Sequence, residues 1–119
     1  MKYQFFLNQE KDEQGRLVGF FGYKPGHALE LAHVGTLESD FIAAANELFE
    51  MFNVNHPIDY CNRSMSVGDV LVLTNSDGIV LALAVAPVGF VEIDTLTVLT
   101  SIALPEPVIL RKRVANASN

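Results

Sequence analysis

The chain has 119 residues, of which 50% are apolar and 18% charged, and its 8 Lys and Arg against 14 Asp and Glu give a formal net charge of −6. This length fits one compact domain with an ordinary core, and the composition excludes an intrinsically disordered chain. The acidic balance disfavours a general nucleic-acid binder, because affinity for the phosphate backbone comes from Lys and Arg.

The single cysteine, Cys61, excludes an internal disulfide framework and suits a reducing compartment, where such a residue is usually a small, inert part of the core. Met1 is not followed by a basic-then-apolar leader, and no uninterrupted apolar run approaches the ~18 residues of a membrane helix. We therefore expect a cytoplasmic protein without a membrane span. It should form a single α+β domain over residues 1–113, followed by a frayed tail over 114–119.

The part of the chain before residue 35 predicts two strands and a weaker third candidate. Tyr3–Leu7 is short and rich in aromatic residues, which favours a strand. His27–Val34 alternates in character, so that alternate residues from His27 to His33 would share one face. Between them, Leu17–Tyr23 contains two glycines, which indicate a bulge or a close backbone approach rather than a regular strand.

An amphipathic helix follows. Five apolar side chains recur at helical spacing and predict one buried stripe: Phe41, Ala45, Leu48, Phe49 and Phe52. Thr36 is the expected N-cap, Glu38 and Asp40 suit the positive end of the helix, and Pro57 stops its continuation. Because such a stripe must cover something apolar, we expect this helix to lie across a sheet.

The second half of the chain is predicted to form β structure. The strand candidates, with one turn between the first two, are Val70–Thr74, the turn Asn75–Gly78, Ile79–Ala86, Phe90–Ile93, Leu96–Ile102 and Val108–Leu110. Ile79–Ala86 is apolar throughout, which is typical of a strand buried on both faces. One helix among roughly six or seven strands predicts an α+β fold, with the helix packed on a curled antiparallel sheet or a small β-barrel.

Motifs for catalysis or cofactor binding are missing from the sequence. His27 and His33 would lie about 20 Å apart along one strand, too far to share a metal ion. Cys61 and His56 stand in no nucleophile motif, and no Gly-rich phosphate-binding loop occurs. We therefore expect no catalytic residue, metal or cofactor, and keep an enzyme using His56 and Asp59 as an alternative.

The segment that follows the helix, Asn55–Asp69, is unusually dense in polar side chains, and we call it the connector. Recognition surfaces usually lie on loops carried by a rigid scaffold. We therefore predict a binding site formed by its polar residues His56, Asp59, Asn62, Arg63, Ser64, Ser66 and Asp69. Arg63 is the expected contact for an anion or carboxylate.

A purely structural interpretation of the connector is the alternative. Arg63 would then pair with Asp59 or Asp69, while Asn62 and Ser64 would satisfy backbone groups of the loop.

Four motifs follow one another between Leu48 and Ile93: Phe52-Asn53, Asn55–Tyr60 (Asn-His-Pro-Ile-Asp-Tyr), Arg63–Leu71 (Arg-Ser-Met-Ser-Val-Gly-Asp-Val-Leu) and Gly89–Ile93. Through these motifs, this run resembles the YodL-like family of small bacterial proteins found on plasmids, phages and conjugative elements. Met65 and Leu71 stand where the family usually has Leu and Val. The resemblance implies a bacterial or phage accessory protein of the cytoplasm, and it carries over no catalytic residues.

We expect a non-enzymatic binding or interaction module whose partner is a protein. One alternative is a small RNA-binding barrel aided by the basic triplet Arg111–Arg113, by fold-level likeness to PUA and ASCH barrels, in which a Val-Gly-Asp turn leads into a strand. Another is an acidic decoy of a nucleic-acid-binding protein. A homodimer would form if the apolar runs Ile79–Ala86 and Leu96–Leu104 were exposed sheet edges.

Overall fold

The computed structural model describes residues 1–96 and 98, and it shows one helix packed on a five-stranded antiparallel sheet. The elements in chain order are β1 (Lys2–Asn8), β2 (Leu29–Thr36), α1 (Phe41–Asn53), β3 (Val70–Thr74), β4 (Val80–Val85) and β5 (Phe90–Ile93). The strand order is β2-β1-β3-β4-β5, and within the described residues the two outer strands, β2 and β5, do not pair with each other. The α+β fold with an antiparallel sheet is therefore confirmed, whereas the sheet does not close into the alternative barrel.

The aromatic strand β1 lies inside the sheet, between β2 and β3, and its side chains contribute to both clusters of the core. Tyr3, Phe5 and Leu7 point towards α1, while Phe6 packs in the cluster on the opposite face. This alternation follows from the two-residue period of a strand, which sends successive side chains to opposite faces. Both faces of the sheet are therefore apolar along β1.

Helix α1 begins at Phe41, and its N-cap is Asp40, whose carboxylate accepts the amide of Ala43 at 2.9 Å. The predicted N-cap Thr36 is wrong, because Thr36 pairs with Lys2 at the end of β2. The buried side chains of α1 are Ala44, Ala45, Leu48 and Phe52. The helix thus lies across the sheet as expected, but Phe49 is 44% exposed rather than part of the buried stripe.

Strand β4 is confirmed, but it is not a free edge and it is not fully buried on both faces. It pairs with β3 and β5, so Ile79–Ala86 supplies no free sheet edge for a dimer. Its alternate residues Ala82 and Ala84 are buried, but Leu81 and Leu83 on the helix side are only half-buried. The reason is that α1 does not cover the whole face of the sheet above β4 and β5.

Strand β2 contains a bulge that changes which of its side chains share a face. Phe5 pairs with His33, whereas Phe6 already pairs with Leu31, so Ala32 is an extra residue. His33 consequently lies on the helix side, while Leu29 belongs to the cluster on the opposite face. The predicted single face from His27 to His33 is wrong because one inserted residue inverts the alternation.

The glycines of Leu17–Tyr23 were expected to disfavour a regular strand and to allow a close backbone approach, and both expectations are confirmed. In Leu17–Tyr23, Leu17 forms an isolated bridge with Lys11, and Gly19–Phe21 is a short 3-10 helix. The strand predicted over Leu96–Ile102 is wrong where the structure describes it. At the start of Leu96–Ile102, Leu96 and Val98 have helical backbone. The amide of Leu96 donates to the side chain of Asp94, and the amide of Val98 donates to the Asp94 carbonyl. Val108–Leu110, the triplet Arg111–Arg113 and the tail 114–119 lie outside the described residues.

Candidate binding site on the connector

Asp69 is the central residue of the connector framework, and it is fully buried at the start of β3. Its Oδ1 accepts the amide of Asn8 at 2.9 Å, and its Oδ2 accepts the amide of Ser66 at 2.7 Å. Arg63 adds a two-pronged ion pair, with both N–O distances at 2.7 Å. Because the carboxylate is enclosed and satisfied on both oxygens, Asp69 supports the connector from inside and does not reach its surface.

Arg63 is the partner that neutralises this buried charge. Of the two pairings left open by the sequence, the structure forms the one with Asp69, and Arg63 also donates to the carbonyl of Ser64 at 3.0 Å. The hydrogen bond to Asp69 raises the pKa of Arg63 above its ordinary value. The guanidinium is half-buried and engaged, so its first role is to hold the connector.

The end of the connector packs tightly on the 3-10 helix. Gly68 has a φ of +91°, and a Cβ added there would lie 2.0 Å from the carbonyl oxygen of Gly19. The side chain of Asn8 donates to the carbonyl of Gly68 at 3.0 Å and fixes the same turn from the sheet side. Only glycine satisfies both the positive φ and the close approach at this position.

The first half of the connector is held to β2 by a hydrogen bond between Asp59 and His33, and His33 in turn bonds to Tyr3 of β1. Asp59 and His33 Nε2 are 2.9 Å apart, and His33 Nδ1 and the hydroxyl of Tyr3 are 3.0 Å apart. Since a carboxylate only accepts, Nε2 of neutral His33 carries the proton and Nδ1 accepts from Tyr3. The hydrogen bond from His33 lowers the pKa of Asp59, whereas burial raises the pKa of Tyr3.

An aromatic cluster lies beneath this part of the connector. The ring of Tyr60 packs edge-on against Phe52 at 4.8 Å and also meets His33 at 6.0 Å between centroids. Phe5 of β1 contacts Phe52 at 4.6 Å. The Tyr60 hydroxyl donates to the carbonyl of Arg63, so the same residue ties the aromatic cluster to the ion pair.

His56 lies close to Ser64, but their geometry does not form an activated nucleophile. His56 Nε2 is 2.6 Å from the carbonyl of Phe52, which can only accept, so Nε2 carries a proton. The Ser64 hydroxyl faces the same nitrogen at 3.3 Å and therefore meets a donor rather than a base. His56 stabilises the last turn of α1, and Asp59 pairs with His33 instead of His56.

The structure divides the seven predicted binding residues by exposure. His56, Asp59, Asn62 and Ser64 are exposed, Arg63 and Ser66 are half-buried, and Asp69 is buried. The predicted site therefore has an outer set of four residues, available to a partner, and an inner set that supports them.

Two connector residues were missed or misplaced by the sequence interpretation. Ile58 is 105% exposed, the highest value among the large apolar residues that the structure describes. The signal was present as an isoleucine between Pro57 and Asp59 in a polar run. Cys61 is exposed, so its expected place in the core is wrong.

Among residues 1–96 and 98, no group of three or more His, Cys, Asp or Glu side chains is arranged to hold a metal ion. The same residues contain no helix with the length and apolar character needed to cross a bilayer.

Comparison with known proteins gives one match. The family model described as the YodL-like domain matches residues 7–95, most of the chain. This range is wider than the resemblance from Leu48 to Ile93, and it adds the end of β1, all of β2 and the first half of α1. No curated protein and no solved structure gives a significant match.

Proposed function

The chain belongs to the YodL-like domain family, and from that premise we propose that it is a non-enzymatic module that binds a protein partner through the exposed face of the connector. The face consists of Ile58 and the polar residues His56, Asp59, Asn62 and Ser64. In this proposal the module serves as an accessory protein in the cytoplasm of a bacterium or of a cell carrying a mobile element.

The observation that carries the proposal is the full exposure of Ile58, because the two residues that follow it in the chain are held in place. Asp59, the next residue, is held by His33, and Tyr60 is buried among aromatic rings. A loop fixed so closely cannot turn Ile58 inward, so its apolar surface stays in water until a partner covers it. Full burial of such a side chain contributes about 1.5–3 kcal/mol, which is the scale of an interface anchor.

The charges of the connector favour a protein over a nucleic acid as the partner. Arg63 is its single basic residue apart from His56, and Asp69 already neutralises it. The exposed carboxylate of Asp59 would repel a phosphate backbone. A partner pocket that is apolar, with a donor at its rim for Asp59, fits this face.

The test is capture from a lysate of the source cells with the full chain as bait. Ile58→Asp should abolish retention of the proteins that the unchanged chain captures, and Asn62→Ala should weaken it. Ile79→Asp is the matched control, because Ile79 is an exposed isoleucine in the turn between β3 and β4. Capture that is the same with Ile58→Asp as with Ile79→Asp would refute the assignment.

A second arm addresses the nucleic-acid and decoy alternatives. Retention of RNA or DNA at low salt, lost steeply as salt rises, would instead establish the RNA-binding alternative. Capture of a nucleic-acid-binding protein that is insensitive to Ile58→Asp but abolished by Glu47→Gln with Glu50→Gln would favour the acidic decoy.

A further inference from the structure

His33 is a titratable side chain on which β1, α1 and the connector converge. Its ring stacks on that of Tyr3 at 5.8 Å between centroids, and it meets Phe52 edge-on at 5.4 Å and Tyr60 at 6.0 Å. The side chain is 11% exposed. A charge on this ring therefore interacts with the protein groups around it and not with water alone.

Both ring nitrogens have a partner whether His33 is neutral or protonated. In the neutral ring, Nε2 donates to Asp59 at 2.9 Å and Nδ1 accepts from the Tyr3 hydroxyl at 3.0 Å. A proton added at Nδ1 makes this nitrogen a donor to the same hydroxyl oxygen. The hydroxyl hydrogen then turns to the sulfur of Met51, a weak acceptor 3.9 Å from the oxygen. Protonation of the ring therefore leaves its bond to Asp59 in place.

The bond to Asp59 becomes stronger when the ring carries a proton. The hydrogen bond from His33 lowers the pKa of Asp59, so the carboxylate is ionised in neutral and mildly acidic solution. A hydrogen bond between two ionised groups is roughly twice as strong as one between neutral groups. Asp59 is 72% exposed and stays hydrated on its outer side, so little solvation is lost when the pair forms.

Within the described part of the chain, the other titratable groups that face His33 are Tyr3, Tyr60 and Glu30. Burial raises the pKa of both tyrosines, so their hydroxyls stay neutral at the pH where histidine titrates. Glu30 lies on the same side of β2 as His33, and its negative charge adds to that of Asp59. Helix α1 contributes an aromatic ring and a thioether, which do not titrate. None of these groups opposes the attraction between Asp59 and a protonated His33.

We propose that His33 is a pH-sensitive clamp on the connector, which holds Asp59 more strongly when the ring is protonated. Histidine side chains change charge between about pH 5 and 8, so the added hold is present at the acid end of this range and is lost as the pH rises through it. The lower limit is set by Asp59, whose carboxylate stays ionised until the pH falls below about 4. The connector is therefore held most strongly in mildly acidic solution.

The clamp acts on the face that carries Ile58, and this consequence rests on the proposed function. Ile58 directly precedes Asp59, so a stronger hold on Asp59 restricts the backbone that presents the isoleucine. A restricted loop loses less conformational entropy when a partner binds. Partner binding should therefore be stronger in mild acid, whereas the clamp itself is a property of the free chain.

Hydrogen exchange at the Tyr60 amide tests the clamp in the full chain without a partner. This amide donates to the Pro57 carbonyl at 2.9 Å inside the connector, so it exchanges when the connector opens. Its protection factor, which corrects for the intrinsic effect of pH on exchange, should rise about two- to fivefold from about pH 8 to about pH 5. The rise is modest because Asp59 is largely exposed. Protection that stays constant or falls over this range would overturn the proposal.

Two variants show whether the response comes from this pair. His33→Gln is the matched control, because its amide can donate to Asp59 but cannot take up a proton. Asp59→Asn keeps a carbonyl acceptor and removes the charge. Protection of Tyr60 should be the same at both pH values in each variant. A rise as large as that of the unchanged chain, in either variant, would overturn the assignment to His33 and Asp59.

Failure of the clamp can be distinguished from failure of the proposed function. The exchange measurements need no partner, whereas partner binding is measured by capture with Ile58→Asp. A pH-dependent protection of Tyr60 in a chain that captures no protein would support the clamp and refute the proposed function. Capture that depends on Ile58, in a chain whose Tyr60 protection ignores pH, would refute the clamp alone.

Discussion

The Asp69 carboxylate gathers the amides of Asn8 and Ser66 and the guanidinium of Arg63 around one buried charge. Arg63→Met keeps the aliphatic stem but removes the positive charge, leaving the carboxylate buried without its counter-ion. We expect the free energy of unfolding to fall by about 3–5 kcal/mol. Urea denaturation measures this loss.

The matched control is Arg16→Met, which breaks a solvent-exposed ion pair with Asp12. It should leave the denaturation midpoint close to that of the unchanged chain. Equal midpoints for Arg63→Met and Arg16→Met would show that the buried pair does not hold the connector.

Asp59 should titrate below its ordinary range because His33 donates a hydrogen bond to its ionised form, which lowers the pKa. A folded pKa below the unfolded value means that this stabilisation is complete above the unfolded pKa. It disappears as the pH falls through the folded pKa, in the acid range below about 4. Carboxyl NMR of the folded chain follows the titration, and His33→Phe should return the midpoint to the ordinary range. A pKa of Asp59 in the ordinary range in the unchanged chain would contradict the hydrogen bond that joins the connector to β2.

At the scale of structural elements, the contact between the connector turn and the 3-10 helix depends on two glycines. Gly68→Ala places a Cβ 2.0 Å from the Gly19 carbonyl oxygen at a positive φ, and it should cost about 2–5 kcal/mol of unfolding free energy. Gly78→Ala is the control, because Gly78 has φ +81° but open space around it. It should cost only about 1–2 kcal/mol, from backbone conformation alone. Similar losses for the two variants would argue against close packing at Gly68.

The start of α1 gives a second test at this scale. Asp40→Ala should destabilise the chain by about 1 kcal/mol in thermal or urea unfolding, because the amide of Ala43 loses its acceptor. Thr36→Ala should have a much smaller effect, since Thr36 ends β2 rather than capping the helix. A larger loss of stability for Thr36→Ala than for Asp40→Ala would show that Thr36, as expected from the sequence, caps the helix.

Local sequence patterns predicted the helices and strands that depend on residues close together in the chain. The spacing from Phe41 to Phe52 predicts α1, and the β-branched run Val70–Thr74 predicts β3. The bulge at Ala32 was not predictable in this way, because its register depends on pairing with β1, more than twenty residues away. The same holds for Leu81 and Leu83, whose exposure depends on where α1 crosses the sheet.

At the scale of the whole molecule, the sequence indicated where the candidate site lies but not how it is assembled. The polar density of the connector predicts a loop after the helix, and the family resemblance includes its motif. Asp59 binds His33 and Asp69 binds the amide of Asn8, contacts that join distant parts of the chain. Local sequence patterns do not reveal contacts between residues that are far apart in the chain. Only the structure therefore shows which connector residues are exposed and which support them from inside.

The proposed binding face depends on the rigidity of the connector, which holds Ile58 in solvent. The backbone order parameter of the Ile58 amide, measured by 15N relaxation on the chain without a partner, tests it most directly. We predict a value of about 0.85, equal to that of α1, because the fastenings at Asp59 and Tyr60 restrict the adjoining backbone. A value below about 0.6 would show a flexible loop and contradict a preformed binding face.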